Sequence, residues 1–239
     1  MADRSPLARK KTPGCEAGSM ARTQLITGEK GMLGSSFMRL LKQKNNIFSF
    51  KYRTDIFDFD SVNKQIEKLK PDLIIHTAAL TDVDECESNK IKTYQINVDS
   101  TQNLANNCLK HNIKLVYISS TGIYGAYKDL PYIEQDSPQP STVHHLSKYK
   151  AENIIQNILE DFLILRVGWL YGGSIKHKNN FVFNRYIEAI NNEKIYSSIY
   201  QKGNPTYCDD VVKQTAHLIN NDINGIFNCV NNGTNVTRY

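Results

Sequence analysis

The chain has 239 residues, with 29 Lys and Arg against 24 Asp and Glu (net charge +5), and is 40% apolar and 22% charged. That balance is ordinary for a soluble globular protein and does not fit collagen-like or low-complexity architecture, and no apolar run reaches the ~18–20 residues of a membrane span. Arg4, Arg9, Lys10, Lys11 and Arg22 sit near the N-terminus, so the remainder is closer to neutral and a nucleic-acid partner loses most of its support.

Five cysteines (Cys15, Cys86, Cys108, Cys208, Cys229) are an odd number without CxxC spacing. This argues against a disulfide framework or a zinc site and for a reducing cytoplasm. The acids in 55–60 and 82–87 lack partnering histidines, so no metal is expected. The sequons at Asn232 and Asn235 follow no secretory signal and read as chance.

Residues 1–20 lack an apolar period and read as a disordered extension or a non-native start, with Met20 an alternative start. Thr23–Thr27 then reads as a buried strand, Gly34–Lys44 as a helix, Ile47–Tyr52 as a strand and Val62–Leu69 as a helix. Asp72–His76 holds a continuous apolar run that suits a parallel strand buried on both faces. Ile91–His111 reads as one helix, Lys114–Ser119 as strand, Ser147–Glu160 as helix and Phe162–Arg166 as strand. This alternation predicts an α/β fold, a Rossmann-type doubly wound parallel sheet, over residues 21–166. Beyond 167 it loosens into a small lobe, interleaved with the first and truncated in appearance. Phe181–Asn191 and Asp210–Asn220 read as helices, Lys194–Ser198 and Gly225–Val230 as strands. An incomplete lobe would leave apolar surface between Phe181 and Phe227 partly uncovered, inviting aggregation or self-association, including a homodimer.

The string LITGEKGMLG sets Gly28, Gly31 and Gly34 between the first strand and the first helix. Glycines there let backbone approach a ligand closely, and the helix start, with Met32 and Leu33, offers N–H groups to a pyrophosphate. The spacing is Gly-x-x-Gly-x-x-Gly. Where the second strand ends, an acid ordinarily takes the ribose hydroxyl of NAD. Here Lys51-Tyr52-Arg53 stands instead, and Arg53 suits the 2′-phosphate of NADP or is simply a solvated strand end. Asp55 or Asp58 is placed to meet the adenine side.

Several ordered motifs resemble the extended short-chain dehydrogenase/reductases, over about residues 23–237. The match is to the dTDP-4-dehydrorhamnose reductase-like group, which also includes a regulatory subunit of methionine adenosyltransferase. PDLIIHTAALTDVDECE (71–87) resembles a segment in which Ala78 and Ala79 pass close to the cofactor. YQINVDSTQNLA (94–105) resembles a helix whose Asn97 supports the site and is expected among the cofactor contacts. LVYISSTGIYG (115–125) resembles the strand ending at a catalytic hydroxyl, here Ser120, with Thr121 beside it and Tyr124 able to face substrate. PYIEQDSPQPSTVHHLSKYKAE (131–152) resembles the run into the catalytic helix and sets Lys148 at the catalytic lysine. LRVGWLYG and GNPTYCDD resemble substrate-side segments, with Trp169 near the sugar nucleotide. The resemblance implies NADPH or NADH as cofactor and a sugar-nucleotide substrate; charge and the lack of an apolar span lead us to expect neither nucleic-acid nor membrane partners. Its chemistry asks for a hydroxyl that polarises a carbonyl, a tyrosine that returns a proton, and a lysine four residues on that lowers the tyrosine's pKa and holds the ribose.

The expected Tyr-x-x-x-Lys reads His144-His145-Leu146-Ser147-Lys148. Three readings stand: His144 is itself the proton donor, another tyrosine reaches in, or the site binds nucleotides without turnover. Simpler roles stand beside the functional ones. Ser120 is otherwise a strand-end serine, Lys148 a solvated helix lysine and Trp169 a core residue. Arg166 reads as an ion-pair partner, His76 as a satisfied core histidine, and Asp209-Asp210 as caps of a helix starting at Val211. The expectation is NAD(P)H-dependent reduction of a nucleotide-activated 4-keto-6-deoxy sugar, for surface polysaccharide. The alternatives are a sugar-nucleotide epimerase or dehydratase with retained NAD, and a non-catalytic binding or regulatory subunit.

Overall fold

A computed structural model describes residues 21–43, 45–50, 56–233 and 236–237. The readings placed on residues 1–20, on 51–53 including Arg53, on Asp55 and on Asn235 lie outside the described residues. In chain order the elements are β1 (Thr23–Thr27), α1 (Met32–Leu41), β2 (Asn46–Ser49), α2 (Phe59–Leu69), β3 (Leu73–His76), α3 (Val83–Ser88) and α4 (Lys90–Tyr94). They continue as α5 (Ser100–His111), β4 (Lys114–Ser120), α6 (Val143–Ile158), β5 (Phe162–Val167), β6 (Trp169–Tyr171) and α7 (Phe181–Asn191). β7 (Lys202–Gly203), β8 (Pro205–Tyr207), α8 (Cys208–Asn220), β9 (Gly225–Cys229) and β10 (Val236–Thr237) complete the series.

Six strands form one parallel sheet in the order β2-β1-β3-β4-β5-β9. Successive strand residues point to opposite faces, so each strand feeds two cores. Leu25, Ile74, Leu115 and Ile164 pack with Val62, Ile66, Leu104, Ala151 and Ile155 of α2, α5 and α6. Their neighbours Ile26, Ile75, Val116 and Leu165 pack with Phe37, Val211 and Val212 of α1 and α8. This is a doubly wound Rossmann-like sheet, and its order reverses between β1 and β3. Crevices at the carboxyl ends of strands open at such a reversal.

The segment after β5 partly rejoins the main sheet and its helices. α8 lies on α1, where Arg39 Nη2 meets Asp209 Oδ1 at 2.6 Å, and β9 extends the main sheet beside β5. The smaller part is a β6–β8 pair, a β7–β10 pair and α7. Along α7, Val182, Tyr186 and Ile190 are exposed.

Four expectations need correction. The run 91–111 is not one α-helix: a π-helical turn at Gln95–Asp99 separates α4 from α5. The wider turn carries the buried Asn97, whose amide reaches Leu80 and Ser147. Residues 194–198 form no strand. Asp209 and Asp210 do not cap α8, which starts at Cys208 with no side-chain cap; they are engaged by Arg39 and Tyr207, and by Lys213 and Asn231. α6 starts earlier than expected because Thr142 Oγ1 accepts the His145 N–H at 3.2 Å as its N-cap. His144 therefore lies inside the first helical turn.

Two buried polar groups fix the layers. Arg166 of β5 grips Glu152 of α6, with Nη2 to Oε2 at 2.7 Å and Nε to both oxygens at 3.2 Å, and both side chains are buried. His76 bridges two hydroxyls, with Nδ1 2.7 Å from Thr27 Oγ1 and Nε2 3.0 Å from Thr101 Oγ1. Thr101 already donates to Asn97 O, so His76 Nε2–H donates to Thr101 and the Thr27 hydroxyl donates to Nδ1. Both expected roles, ion pair and satisfied core histidine, are observed.

Replacing Arg166 by Met strands a buried carboxylate, and chemical denaturation should show a loss of ~3–5 kcal/mol; an unchanged midpoint would contradict the anchoring role. Burial pushes His76, and likewise the buried His144, down to about 3. Below ~6.5 the unfolded chain binds these two protons and the folded chain does not, so stability falls with pH at ~1.4 kcal/mol per unit per group. Together they cost ~4 kcal/mol by about pH 5. Melts at pH 7.5 and pH 5 should show a clear drop in Tm, and equal values would contradict it.

Candidate active site

The glycine turn closes on the β3 end. Gly28 has φ +71° and Gly31 N–H donates to Gly28 O at 2.9 Å. A Cβ on Gly28 would stand 2.7 Å from the Ala78 nitrogen, and one on Gly34 would stand 2.1 Å from Gly28 O. Only glycine fits either position. α1 has Gly31 as its N-cap, so it starts with no side-chain cap and no acid in its first turn, although α2, α3, α6 and α7 each have a capping side chain. Free N–H groups, a positive helix end and backbone without Cβ suit a pyrophosphate, so the residues fit a dinucleotide. Leu33 faces the core, so its share of such contact is its backbone. Met32 lies against the Gly173 backbone, where an added Cβ would come within 2.7 Å of its Cγ.

Across the reversal point, the Ala78 N–H donates to Thr27 Oγ1 at 3.2 Å and Thr77 Oγ1 donates to Thr27 O at 2.6 Å. The chain Ala78–Thr27–His76–Thr101 thus sets the height of the Ala78-Ala79 backbone beside Gly28. Further along, Asn97 holds Leu80: its Oδ1 accepts from Leu80 N at 2.8 Å and its Nδ2 donates to Leu80 O at 3.0 Å and to Ser147 Oγ at 2.9 Å. The Asn97 amide is fully used within the protein and buried. Asn97, expected at the cofactor, therefore acts instead by positioning Leu80 and Ser147.

α6 lies over the same strand ends. His144 Nδ1 is 3.0 Å from Leu80 O. A carbonyl only accepts, so Nδ1 carries the proton. Burial first, then the Lys148 charge and His145, push His144 down to about 3. Lys148 is buried, with Nζ 4.2 Å from the centre of the Tyr117 ring on β4. Burial pushes it down to about 7, against the pull of Glu152. Tyr117 pairs with His76, the last residue of β3, and precedes the β4 end at Ser120 by three residues, so Lys148 lies over the sheet near the carboxyl ends of β3 and β4.

Ser120 ends β4. Its Oγ accepts from Gly122 N–H at 3.1 Å, which leaves the hydroxyl proton free to donate outward. A Cβ on Gly122 would stand 2.1 Å from His145 Nε2, so the turn after Ser120 and the start of α6 are in contact only because residue 122 is glycine. Thr121 Oγ1 donates to Val167 O at 3.3 Å. Trp169 is half-buried against the Gly203 backbone.

Tyr124 is corrected. It is buried and stacked on Tyr132, and its hydroxyl accepts from Arg166 Nη1 at 2.7 Å and donates to Asn228 Oδ1 at 2.9 Å. It extends the Arg166–Glu152 anchor and does not face a substrate. Sequence reasoning missed Leu80, Thr27, Thr77, Ser147, His145 and Gly122. Leu80 acts through its backbone carbonyl, which no side-chain pattern reports. Gly122, adjoining the Ser120-Thr121 pair, was the available signal for a close approach.

The family described as the RmlD substrate binding domain matches residues 22–239. The dTDP-4-dehydrorhamnose reductase of Aggregatibacter actinomycetemcomitans is 33% identical, over 80% of this chain and 65% of that protein. The spore coat polysaccharide biosynthesis protein SpsK of Bacillus subtilis is 30% identical, over 87% of this chain and 73% of that one. Among solved structures, a dTDP-4-dehydrorhamnose reductase of Bacillus anthracis in complex with NADP superimposes with a TM-score of 0.85 at 30% identity, covering 92% of this chain and 78% of that one. The chain thus spans about two thirds to three quarters of the length of these relatives. With a matched region running from β1 to the chain's last residue, this protein belongs to the RmlD substrate binding domain family.

Proposed function

We propose that this chain carries an NAD(P)H-dependent reductase site for a nucleotide-activated 4-keto-6-deoxy sugar, serving polysaccharide synthesis. One observation carries the reading: the glycine turn, the Ser120 hydroxyl and the buried Lys148 converge on the carboxyl ends of β1, β3 and β4, at the reversal of strand order. The names of its relatives, and the NADP held by one of them, support the same reading.

A reduced nicotinamide, when bound, supplies a hydride. The residues that would hold it are Gly28, Gly31 and the first turn of α1 at the pyrophosphate, the Ala78-Ala79 backbone alongside, and Lys148 at the ribose. Arg53 and Asp55 belong to the proposed adenosine end by sequence alone. Ser120 directs its free O–H at the substrate carbonyl and stabilises negative charge as it develops on that oxygen. Thr121 and Trp169 are assigned to the sugar-nucleotide side. His144 stands where a tyrosine acid is expected, and that observation favours a second reading, a nucleotide-binding subunit without turnover.

The deciding experiment is NADPH consumption with a dTDP-4-keto-6-deoxy sugar. Turnover that falls ~10²-fold or more in Ser120→Ala supports the reductase; NADPH binding without consumption moves the assignment to the silent subunit. Gly34→Ala forces a methyl onto Gly28 O. NADPH affinity, read by fluorescence titration, should fall at least ~10-fold while the overpacking costs ~1–3 kcal/mol of stability. Unchanged affinity would contradict the dinucleotide site.

A further inference from the structure

We propose that Lys148, and not His144, returns the proton to the reduced carbonyl in this site. The inference rests on the reductase reading above.

Two nitrogen groups lie four residues apart on one face of α6, His144 and Lys148. The position of the His144 proton is fixed from outside the ring. Leu80 O accepts from Nδ1 at 3.0 Å, and Leu80 is itself held at both backbone groups by Asn97. A neutral imidazole with its proton on Nδ1 presents Nε2 as a bare lone pair, which accepts protons and cannot give one. To donate from Nε2 the ring must be a cation, and its surroundings oppose that. It is 8% exposed. His145 stands at 5.1 Å, Lys148 follows one turn later, and the carboxylate of Glu87, from α3, is engaged by the Val143 N–H at 2.7 Å.

Lys148 has the opposite character. It is 5% exposed and lies over the Tyr117 ring, and among the described residues no hydrogen-bond acceptor meets its ammonium. The charged and titratable groups around it are accounted for. Glu152, one turn on, is gripped by Arg166, His76 of β3 is neutral and saturated by two threonines, and His144 is neutral. An ammonium so poorly compensated releases a proton readily. Burial sets it at about 7, where it exchanges protons at neutral pH, whereas His144 at about 3 does not bind one.

The step balances. The carbonyl carbon gains the hydride from the reduced nicotinamide, and the π electron pair moves onto oxygen. One N–H bond of the Lys148 ammonium breaks as the O–H bond forms. Lysine is left as the neutral amine and recovers its proton from solvent.

The test has two arms on the full chain. In the first, ¹⁵N-imidazole NMR of the protein without nucleotide reads the His144 tautomer. The expected result is a neutral ring protonated at Nδ1 from pH 8 to pH 5. A ring protonated at Nε2, or a cation within that range, overturns the inference. In the second, kcat for keto-sugar reduction is followed against pH. It should fall above about pH 7, as the acid form of Lys148 is lost, and the same limb should persist in His144→Gln. Lys148→Arg keeps a cation but has no proton to release at these pH values; it should lose ~10²–10⁴-fold in kcat while NADPH affinity changes less than tenfold. Full kcat in Lys148→Arg, or loss of the limb in His144→Gln, overturns the inference. Protein that binds NADPH yet reduces no keto sugar overturns the reductase reading itself and the inference with it, whatever the tautomer.

Discussion

The buried contact between Arg166 and Glu152 holds the site together. Removing two charges from water is costly, and the cost is met here by a three-contact grip plus the Tyr124 hydroxyl and Glu134 O on the remaining guanidinium nitrogen. The pair fixes α6 against β5. Because α6 carries His144 and Lys148 and β5 pairs with β4, the same contact sets both residues against the strand that ends at Ser120. Tyr124 carries the constraint on to Asn228 of β9, so the C-terminal return of the chain shares the same anchor.

A second line of hydrogen bonds aligns the other half. From Ala78 N–H through Thr27, His76 and Thr101 to Asn97 O, each donor and acceptor has one consistent assignment. This chain holds the β1 and β3 ends level. That lets Gly28 approach the Ala78 backbone to a distance no side chain would permit. The π-helical turn at Gln95–Asp99 brings Asn97 to Leu80, and Leu80 then dictates the tautomer of His144. The chemistry available on α6 is thus decided by a carbonyl on a different loop.

Much of the fold was legible because it follows from short-range pattern. The run Leu73-Ile74-Ile75 predicts a strand buried on both faces, and His76 and Arg166, polar groups in apolar strands, had to be satisfied internally. The glycines at 28, 31 and 34 were legible for the same reason, since a strand-to-helix turn leaves glycine few other roles. What escaped depends on long-range geometry. Asn97 reads as a cofactor contact until its three hydrogen bonds are seen to be spent. Tyr124 reads as a substrate contact until Arg166 is seen to hold it inward. The helix over 91–111 reads as continuous because the stretch holds no glycine or proline to mark the π-helical turn. The Leu80 carbonyl carries no sequence signal, since every residue has one.

The most direct test of the central claim is a crystal structure of this chain with NADPH bound. The account predicts the pyrophosphate against the N–H groups at the start of α1, the Ala78-Ala79 backbone alongside, and Lys148 Nζ within hydrogen-bond reach of the nicotinamide ribose. A dinucleotide bound elsewhere on the molecule, or a nicotinamide ribose remote from Lys148, would contradict it.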